Sequence, residues 1–365
     1  MKLLVSKMLK FSFILFIPFM ASANNFNMKN LKNPAFSYSD FPFIYSDKYP
    51  QSAANINIFL QYSFFNRPLK EKDFSNKSLS PFRNTESHSR IYEFYEPGIK
   101  ENKNYIEVSI SGDGCGAYCE GFSNTFVFDA YSGQLITLID LLSPNGIMQL
   151  ENKIRSVNLK RIEPYIQDIP KEDDPEEVSE EYSMYKYCYD NMKDDKEYYN
   201  KVDEGTSFSL SNDMLTIVHE RCSNHALRAL DEIGDFVSKF SFKELQPYLS
   251  AEGKKYLSNQ KYKLSSIKTH YKVFHGKIDN KYPITILHSH NGRWVYWYDR
   301  YNLPIELHKS HGVTKDNLFF KEAYYDDANN DWEYTAEWQI KKINKMFTGT
   351  FTRISDGKKM KVTFK

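Results

Sequence analysis

Between Tyr271 and Phe364 the chain repeats one pattern eight times: a short run of alternating apolar and polar residues, then a turn signal. The runs are Tyr271 to His275, Tyr282 to His288, Trp294 to Tyr298, Pro304 to Leu307, Leu318 to Ala323, Tyr334 to Ile340, Met346 to Phe351 and Met360 to Phe364. A period of two places alternate side chains on opposite faces of a strand. Strands at this spacing predict an antiparallel meander that closes as a small barrel or sandwich, a β-rich module over residues 268–365. In Trp294-Val295-Tyr296-Trp297-Tyr298 both faces carry bulky residues, which predicts a central strand.

The region before it has a different character. Residues 53–257 mix strand-like runs (Arg90 to Tyr95, Tyr105 to Ile110, Thr125 to Phe128, Ser207 to Leu210, Leu215 to Val218) with helical spacing. Ser143 opens one predicted helix, with Ile147, Leu150 and Ile154 on one face, and a second is expected near Phe242 to Leu257. The expected class is α+β: a mixed N-terminal domain followed by the β-rich one. Residues 24–52, rich in Asn, Ser, Pro and aromatics, read as a leader packing on a domain edge. Residues 171–204 hold thirteen acids against five lysines. They read as a solvated helical arm or loop, with an acidic face for a cationic partner as the alternative.

The N-terminus has the three parts of an export signal. Lys2, Lys7 and Lys10 precede an apolar stretch from Phe11 to Met20, and Ala21-Ser22-Ala23 supplies the small-x-small cleavage pattern. The stretch is short for a spanning helix, which needs about twenty residues. Cleavage after Ala23 and a periplasmic or secreted location, with no membrane anchor left, are therefore expected. The cleaved chain stays near neutral, which gives no global argument for nucleic acid or an anionic surface as partner.

All four cysteines lie beyond that segment, and an even count in an exported chain favours two disulfides. Four cysteines allow three connectivities. The favoured one joins Cys115 to Cys119 within Gly-Asp-Gly-Cys-Gly-Ala-Tyr-Cys-Glu-Gly, residues 112–121, and Cys188 to Cys222. The glycines let the chain fold back, and the second bridge would pin the acidic excursion to a strand end. Isolation of Cys188 and Cys222 argues against a four-thiolate zinc site, and three residues between the paired thiols are not the two of a redox motif.

Catalytic signatures fail. No Gly-x-Ser-x-Gly elbow and no phosphate-cradling glycine loop occurs. His219-Glu220 begins like a zinc-protease helix, but the fifth position is Ser223 rather than histidine. His288 and His290 share a strand face and His308 and His311 follow, yet a metal needs three or four converging ligands, so no metal and no cofactor are expected. Glu322 lacks a partner for acid–base work and reads as a rim charge. The residues retained for ligand or partner contact are Tyr118 and Glu120 in the cysteine loop and Trp294, Tyr296 and Tyr298 on the aromatic strand, where core packing is the competing role.

From about Asn57 to Leu257 the order of elements resembles the extracellular domain of RsiV, a lysozyme-sensing anti-sigma factor, related to a domain that accompanies some peptidoglycan deacetylases. The likeness runs through Tyr105–Ser111, Phe126-Val127-Phe128-Asp129 to Gly133-Gln134-Leu135, Thr137 to Leu142, Phe208 to Val218, and Phe242-Lys243-Glu244-Leu245-Gln246-Pro247-Tyr248-Leu249. Where that family has Gly-Gly-Ala-His in the turn, this chain has Cys115-Gly116-Ala117-Tyr118. The whole chain is also similar to uncharacterised exported proteins of Gram-negative bacteria that pair the cysteine loop with Arg-Cys-Ser-Asn-His-Ala, here Arg221 to Ala226, and end in a β-module with Pro304-Ile305-Glu306-Leu307. The domain likeness, the failed catalytic signatures and the acidic stretch together lead to the expectation of a non-enzymatic binding or inhibitor-type protein of the cell envelope, facing lysozyme or another cationic cell-wall-active protein. A peptidoglycan-related enzyme or accessory domain, and a small-ligand carrier using the barrel, are the alternatives.

Overall fold

The computed structural model describes residues 25–32, 40–69, 90–115, 119–167, 179–194, 200–203, 205–258, 260–268, 271–289, 292–310, 317–326 and 331–365. The predicted signal segment lies outside the described residues. Strands β1 (Asn27–Lys32) and β2 (Asp40–Tyr45) form a two-stranded antiparallel ribbon, and helix α1 (Pro50–Phe65) follows. Pro50 presets the first helical turn, and Asn66 closes the helix in the left-handed region at φ 53°. Strands β3 (Arg90–Glu101), β4 (Tyr105–Cys115), β5 (Cys119–Asp129) and β6 (Leu135–Ile136) make an antiparallel sheet in chain order. Phe59 and Leu60 of α1 pack with Phe94, Ile106, Val108 and Phe128 of this sheet and with Phe41 and Ile44 of β2. The ribbon from the expected leader is thus part of the first core.

Helices α2 (Leu138–Leu141) and α3 (Pro144–Ile162) come next. A reciprocal Thr137–Asp140 capping box starts α2, and Ser143 accepts a 3.0 Å bond from the Gly146 N–H to start α3. Leu150, Ile154 and Ile162 share the buried face of α3, as the helical spacing predicts. Helix α4 (Glu180–Lys193) occupies the middle of the acidic excursion. It is solvated on one side only: Met184, Tyr185, Cys188 and Met192, at helical spacing, are buried against Ile162, Cys222 and Phe236.

Strands β7 (Ser207–Ser211), β8 (Met214–His219) and β9 (Phe236–Ser241) form a three-stranded antiparallel sheet. The helix expected near Phe242 to Leu257 is two short ones, α5 (Phe242–Leu245) and α6 (Ala251–Tyr256). Pro247 cannot continue the helical hydrogen bonding, and Ser250 caps a fresh start by accepting from the Gly253 N–H at 2.9 Å.

The eight predicted strands are present as β10 (Lys272–Ile278), β11 (Tyr282–His288), β12 (Trp294–Tyr298), β13 (Ile305–Lys309), β14 (Asn317–Asp326), β15 (Asp331–Ile343), β16 (Met346–Arg353) and β17 (Lys359–Phe364). They close as a barrel, with β10 pairing both β11 and β17. At the seam a Cβ on Gly276 would sit 2.2 Å from the Thr363 carbonyl oxygen, so only glycine lets the two strands meet there. Trp294 and Tyr296 point into a barrel core with Phe320, Trp338 and Phe351. Val295 and Trp297, on the other face of β12, pack into the first core beside α1. The strand with two bulky faces therefore docks the barrel on the first core, together with Val273 of β10 and Leu287 of β11. The fold is α+β, with several antiparallel sheets, a few helices and a C-terminal eight-stranded barrel.

Candidate functional site

The cysteine loop is mostly strand. The β4–β5 ladder runs from Tyr105↔Asp129 to Cys115↔Cys119, so the glycines at 112, 114 and 121 lie within the hairpin arms and not in an irregular loop. Its base is held by Asn104, whose side-chain amide donates to the carbonyls of Tyr256 (2.8 Å) and Gln260 (2.9 Å) while its Oδ1 accepts from the Tyr262 N–H. Midway, buried Glu107 accepts from the Leu210 N–H at 2.7 Å and from Lys100 at 3.3 Å, fixing the hairpin against β7. Cys119 is disulfide-bonded, and the register sets Cys115 directly opposite it. Tyr118 lies outside the described residues.

At the hairpin end Glu120 reaches across more than a hundred positions of sequence. Its Oε1 accepts from His225 Nδ1 at 2.8 Å and from an Arg228 guanidinium N–H at 2.8 Å. The His225 hydrogen bond, backed by the Arg228 charge, holds the Glu120 carboxyl below the usual carboxylate range despite slight desolvation. The two cysteine-bearing motifs, read separately in the sequence, therefore meet in space.

The partner segment is itself fixed. Cys222 is bonded to Cys188 of α4, with Cα atoms 5.5 Å apart. Asp231 accepts from Ser223 Oγ (2.7 Å), Tyr185 OH (3.0 Å) and the Gly234 N–H (3.0 Å). Burial pushes the Asp231 carboxyl up, but these hydrogen bonds outweigh it and keep it below the ordinary range. Burial, with Asp231 nearby, pushes the Tyr185 hydroxyl up to about 12, so it stays a donor at neutral pH. Arg221 donates to Asp235 at 3.0 Å.

Between α4 and this segment lies an open groove of about 580 Å³. Glu180, Met184 and Tyr187 line it from α4, and Glu220, Arg221, Cys222, Asn224 and Leu227 from the facing segment. Tyr187 is exposed, and the lining carries the carboxylates of Glu180 and Glu220 together with Arg221, which is paired with Asp235. Ser223 and His225 do not act on each other, because Ser223 Oγ donates to Asp231 while His225 is aimed at Glu120. The arrangement offers a shaped, acid-lined surface rather than an activated nucleophile.

The aromatic candidates lie elsewhere. Trp294 (7% exposed) and Tyr296 (0%) are inside the barrel, and Tyr298 is half-buried at its end. Tyr296 OH donates to Glu322 at 2.6 Å and Thr335 Oγ donates to the other carboxylate oxygen at 2.7 Å, so Glu322 is an anchored interior acceptor more than a rim charge. His288 stacks on Trp294 with ring centroids 4.3 Å apart, and His308 packs on Trp332; His290 and His311 lie outside the described residues. Among the described residues no cluster of three or more His, Cys, Asp or Glu has a metal-holding arrangement, and no helix is long and apolar enough to cross a membrane. Arg228, Asp231 and Tyr185 were not singled out in the sequence. Their only signal was the predicted Cys188–Cys222 bridge, which places α4 beside the segment that holds the other two.

No protein-family model matches the sequence, and no curated protein matches it. Solved structures similar to it include two of DUF3298 family proteins from Gram-negative bacteria. One, from Bacteroides fragilis, is 11% identical with a TM-score of 0.37, over 64% of this chain and 97% of that one. The other, from Pseudomonas aeruginosa, is 10% identical with a TM-score of 0.34, over 62% and 93%.

Proposed function

We propose that this chain is an exported, non-enzymatic binding or inhibitor-type protein of the bacterial cell envelope, directed at a cationic cell-wall-active protein such as lysozyme. The observation that carries the proposal is the convergence of the two cysteine motifs. Glu120 ties the hairpin end to the segment that walls an acid-lined groove, and a disulfide pins the opposite wall. Effort spent on fixing a surface is what preorganised binding needs, since a rigid site loses less entropy on association. With Arg221 neutralised by Asp235, Glu180 and Glu220 supply the sign that suits a cationic partner.

Export is supported by the signal-like N-terminus and by oxidised Cys119, Cys188 and Cys222, which fit an oxidising compartment. The resemblance of the first domain to RsiV points to lysozyme as the first partner to try. Pull-down of lysozyme by the purified chain at low and moderate salt tests this. Capture that weakens as salt rises is expected; no capture at low salt removes the lysozyme assignment.

A further inference from the structure

We infer that the outer face of β15–β17, with the tip of the β15–β16 hairpin, docks on an anionic lipid surface. Over the whole chain basic and acidic residues nearly balance, 48 against 47, but residues 341–361 hold seven lysines and arginines against one acid, Asp356. Strand register gathers that charge on one side. Ile340, Phe347, Val362 and Ile278 point into the barrel, so their neighbours Lys341, Thr348, Lys361, Thr363 and Lys277 point out. Lys341 on β15, Thr348 on β16, Thr363 on β17 and Lys277 on β10 are successive register partners. Gln339, Thr350 and Lys361 form the row beside them. Neighbouring strands lie about 4.8 Å apart, which sets Lys341 and Lys277 about 14 Å from each other with two hydroxyls between. Lys277, Lys341 and Lys361 are exposed, and among the described residues none has a carboxylate partner. Glu337, one row further on, and Asp279, at the β10–β11 turn, lie toward the opposite end of the barrel, where Asp356 already pairs with Arg353 at 3.3 Å.

The hairpin tip narrows the occupant. The chain reverses through Asn344, in the left-handed region at φ 58°, and exposed Lys345. The pair that closes the turn, Ile343 and Met346, is 50% and 47% exposed. The barrel core does not need them, since Ile340 and Phe347 fill it from the same two strands. Lys342 lies 5.6 Å from the Phe347 ring centre at the base of the tip. Two apolar side chains thus project at one end of the cationic face, with lysines beside them. A soluble polyanion would meet the lysines and leave Ile343 and Met346 in water. An apolar protein surface would cover the tip and strip water from unpaired charges, which is costly. A bilayer interface accommodates both: apolar groups sink about 5–10 Å into the boundary of headgroups and acyl chains, while lysine stems reach back to the phosphates. The threonine hydroxyls in the rows add donors to the same oxygens. Binding here does not depend on what the acid-lined groove takes.

Vesicle flotation tests this on the chain from residue 24 onward, which keeps every described residue and omits the apolar stretch Phe11–Met20 that would bind lipid by itself. The protein should float with phosphatidylcholine vesicles containing about 30% phosphatidylglycerol, less so as salt rises, and not with phosphatidylcholine alone. Lys341→Gln/Lys361→Gln should bind about ten-fold more weakly. Ile343→Ser/Met346→Ser, which keeps every lysine, should also bind about ten-fold more weakly. All four positions are exposed, so both variants should keep the wild-type thermal midpoint. Absence of flotation with the anionic vesicles overturns the proposal. So does full binding by Ile343→Ser/Met346→Ser, which would assign the lysines to a soluble polyanion. Equal binding to neutral vesicles, or full binding by Lys341→Gln/Lys361→Gln, also overturns it, because the cationic face would then play no part.

Discussion

Replacing Cys188 and Cys222 together by alanine cuts the covalent tie between α4 and the segment that carries His225 and Arg228. The bridge spans 34 positions of sequence. In the chain-entropy account a loop of that length restricts the unfolded ensemble by about 3.8 kcal/mol at 25 °C. Both sulfurs are buried, so the native state also loses packing where they met. Against this stand Met184, Tyr185 and Met192, whose burial contributes about 1.5–3 kcal/mol for each large side chain and keeps α4 docked. Urea unfolding followed by far-UV circular dichroism should therefore show a folded but less stable protein. With a slope of about 3 kcal/mol per molar, the midpoint of the transition involving α4 falls by roughly 1 M. Amide exchange should quicken in α4 and residues 220–234, while barrel amides keep their protection. A loss under about 1 kcal/mol, or equal loosening of the barrel, would refute the view that this bridge stabilises the groove walls specifically.

Acidification should destabilise the chain through its buried histidines. Burial holds His219 and His275 below the ordinary value of 6.5, with carboxylates nearby opposing it only in part. Below that value the unfolded chain takes up protons the folded one refuses, so stability falls as pH drops through 6.5; the thermal midpoint should be lower at pH 5.5 than at pH 7.5, and less so in His275→Gln. Tyr296→Phe removes the 2.6 Å donor to Glu322 and should cost about 1.5–3 kcal/mol by urea titration, an effect absent if the carboxylate is already satisfied by water. Asp231→Asn weakens the acceptor that gathers Ser223, Tyr185 and Gly234; proteolysis should nick residues 223–234 faster, and an unchanged nicking rate would deny it that role.

The barrel was legible because each strand keeps one face in a core. Tyr282–His288 and Trp294–Tyr298 have the predicted bounds, and the β-strand period survives even where Trp297 serves a second core. Helix α3 was legible for a similar reason, since Ser143, Pro144 and the Leu150–Ile154 spacing are all local signals. The ribbon β1–β2 was not, because its buried residues Phe41, Pro42 and Ile44 do not alternate, and Phe41 packs on rings far along the chain, Phe64 and Phe94. Nor was β9, whose Phe236, Ser238 and Phe240 alternate inward but follow a stretch of turns that masks the pattern. The half-buried face of α4 was hidden by acidic composition, although Met184, Cys188 and Met192 recur every four residues. The Glu120–His225–Arg228 junction had no local signal at all: it depends on two hairpins and a disulfide placing residues 105 positions apart within 2.8 Å.

The groove is the point on which the account of function turns. Biosensor measurement of lysozyme binding should compare the wild-type chain with Glu180→Gln/Glu220→Gln and with Tyr301→Ser as a distant control. The account predicts binding at low salt, at least ten-fold weaker for the groove double variant and unchanged for Tyr301→Ser. Equal affinity for all three, or no binding by the wild-type chain at low salt, would contradict it.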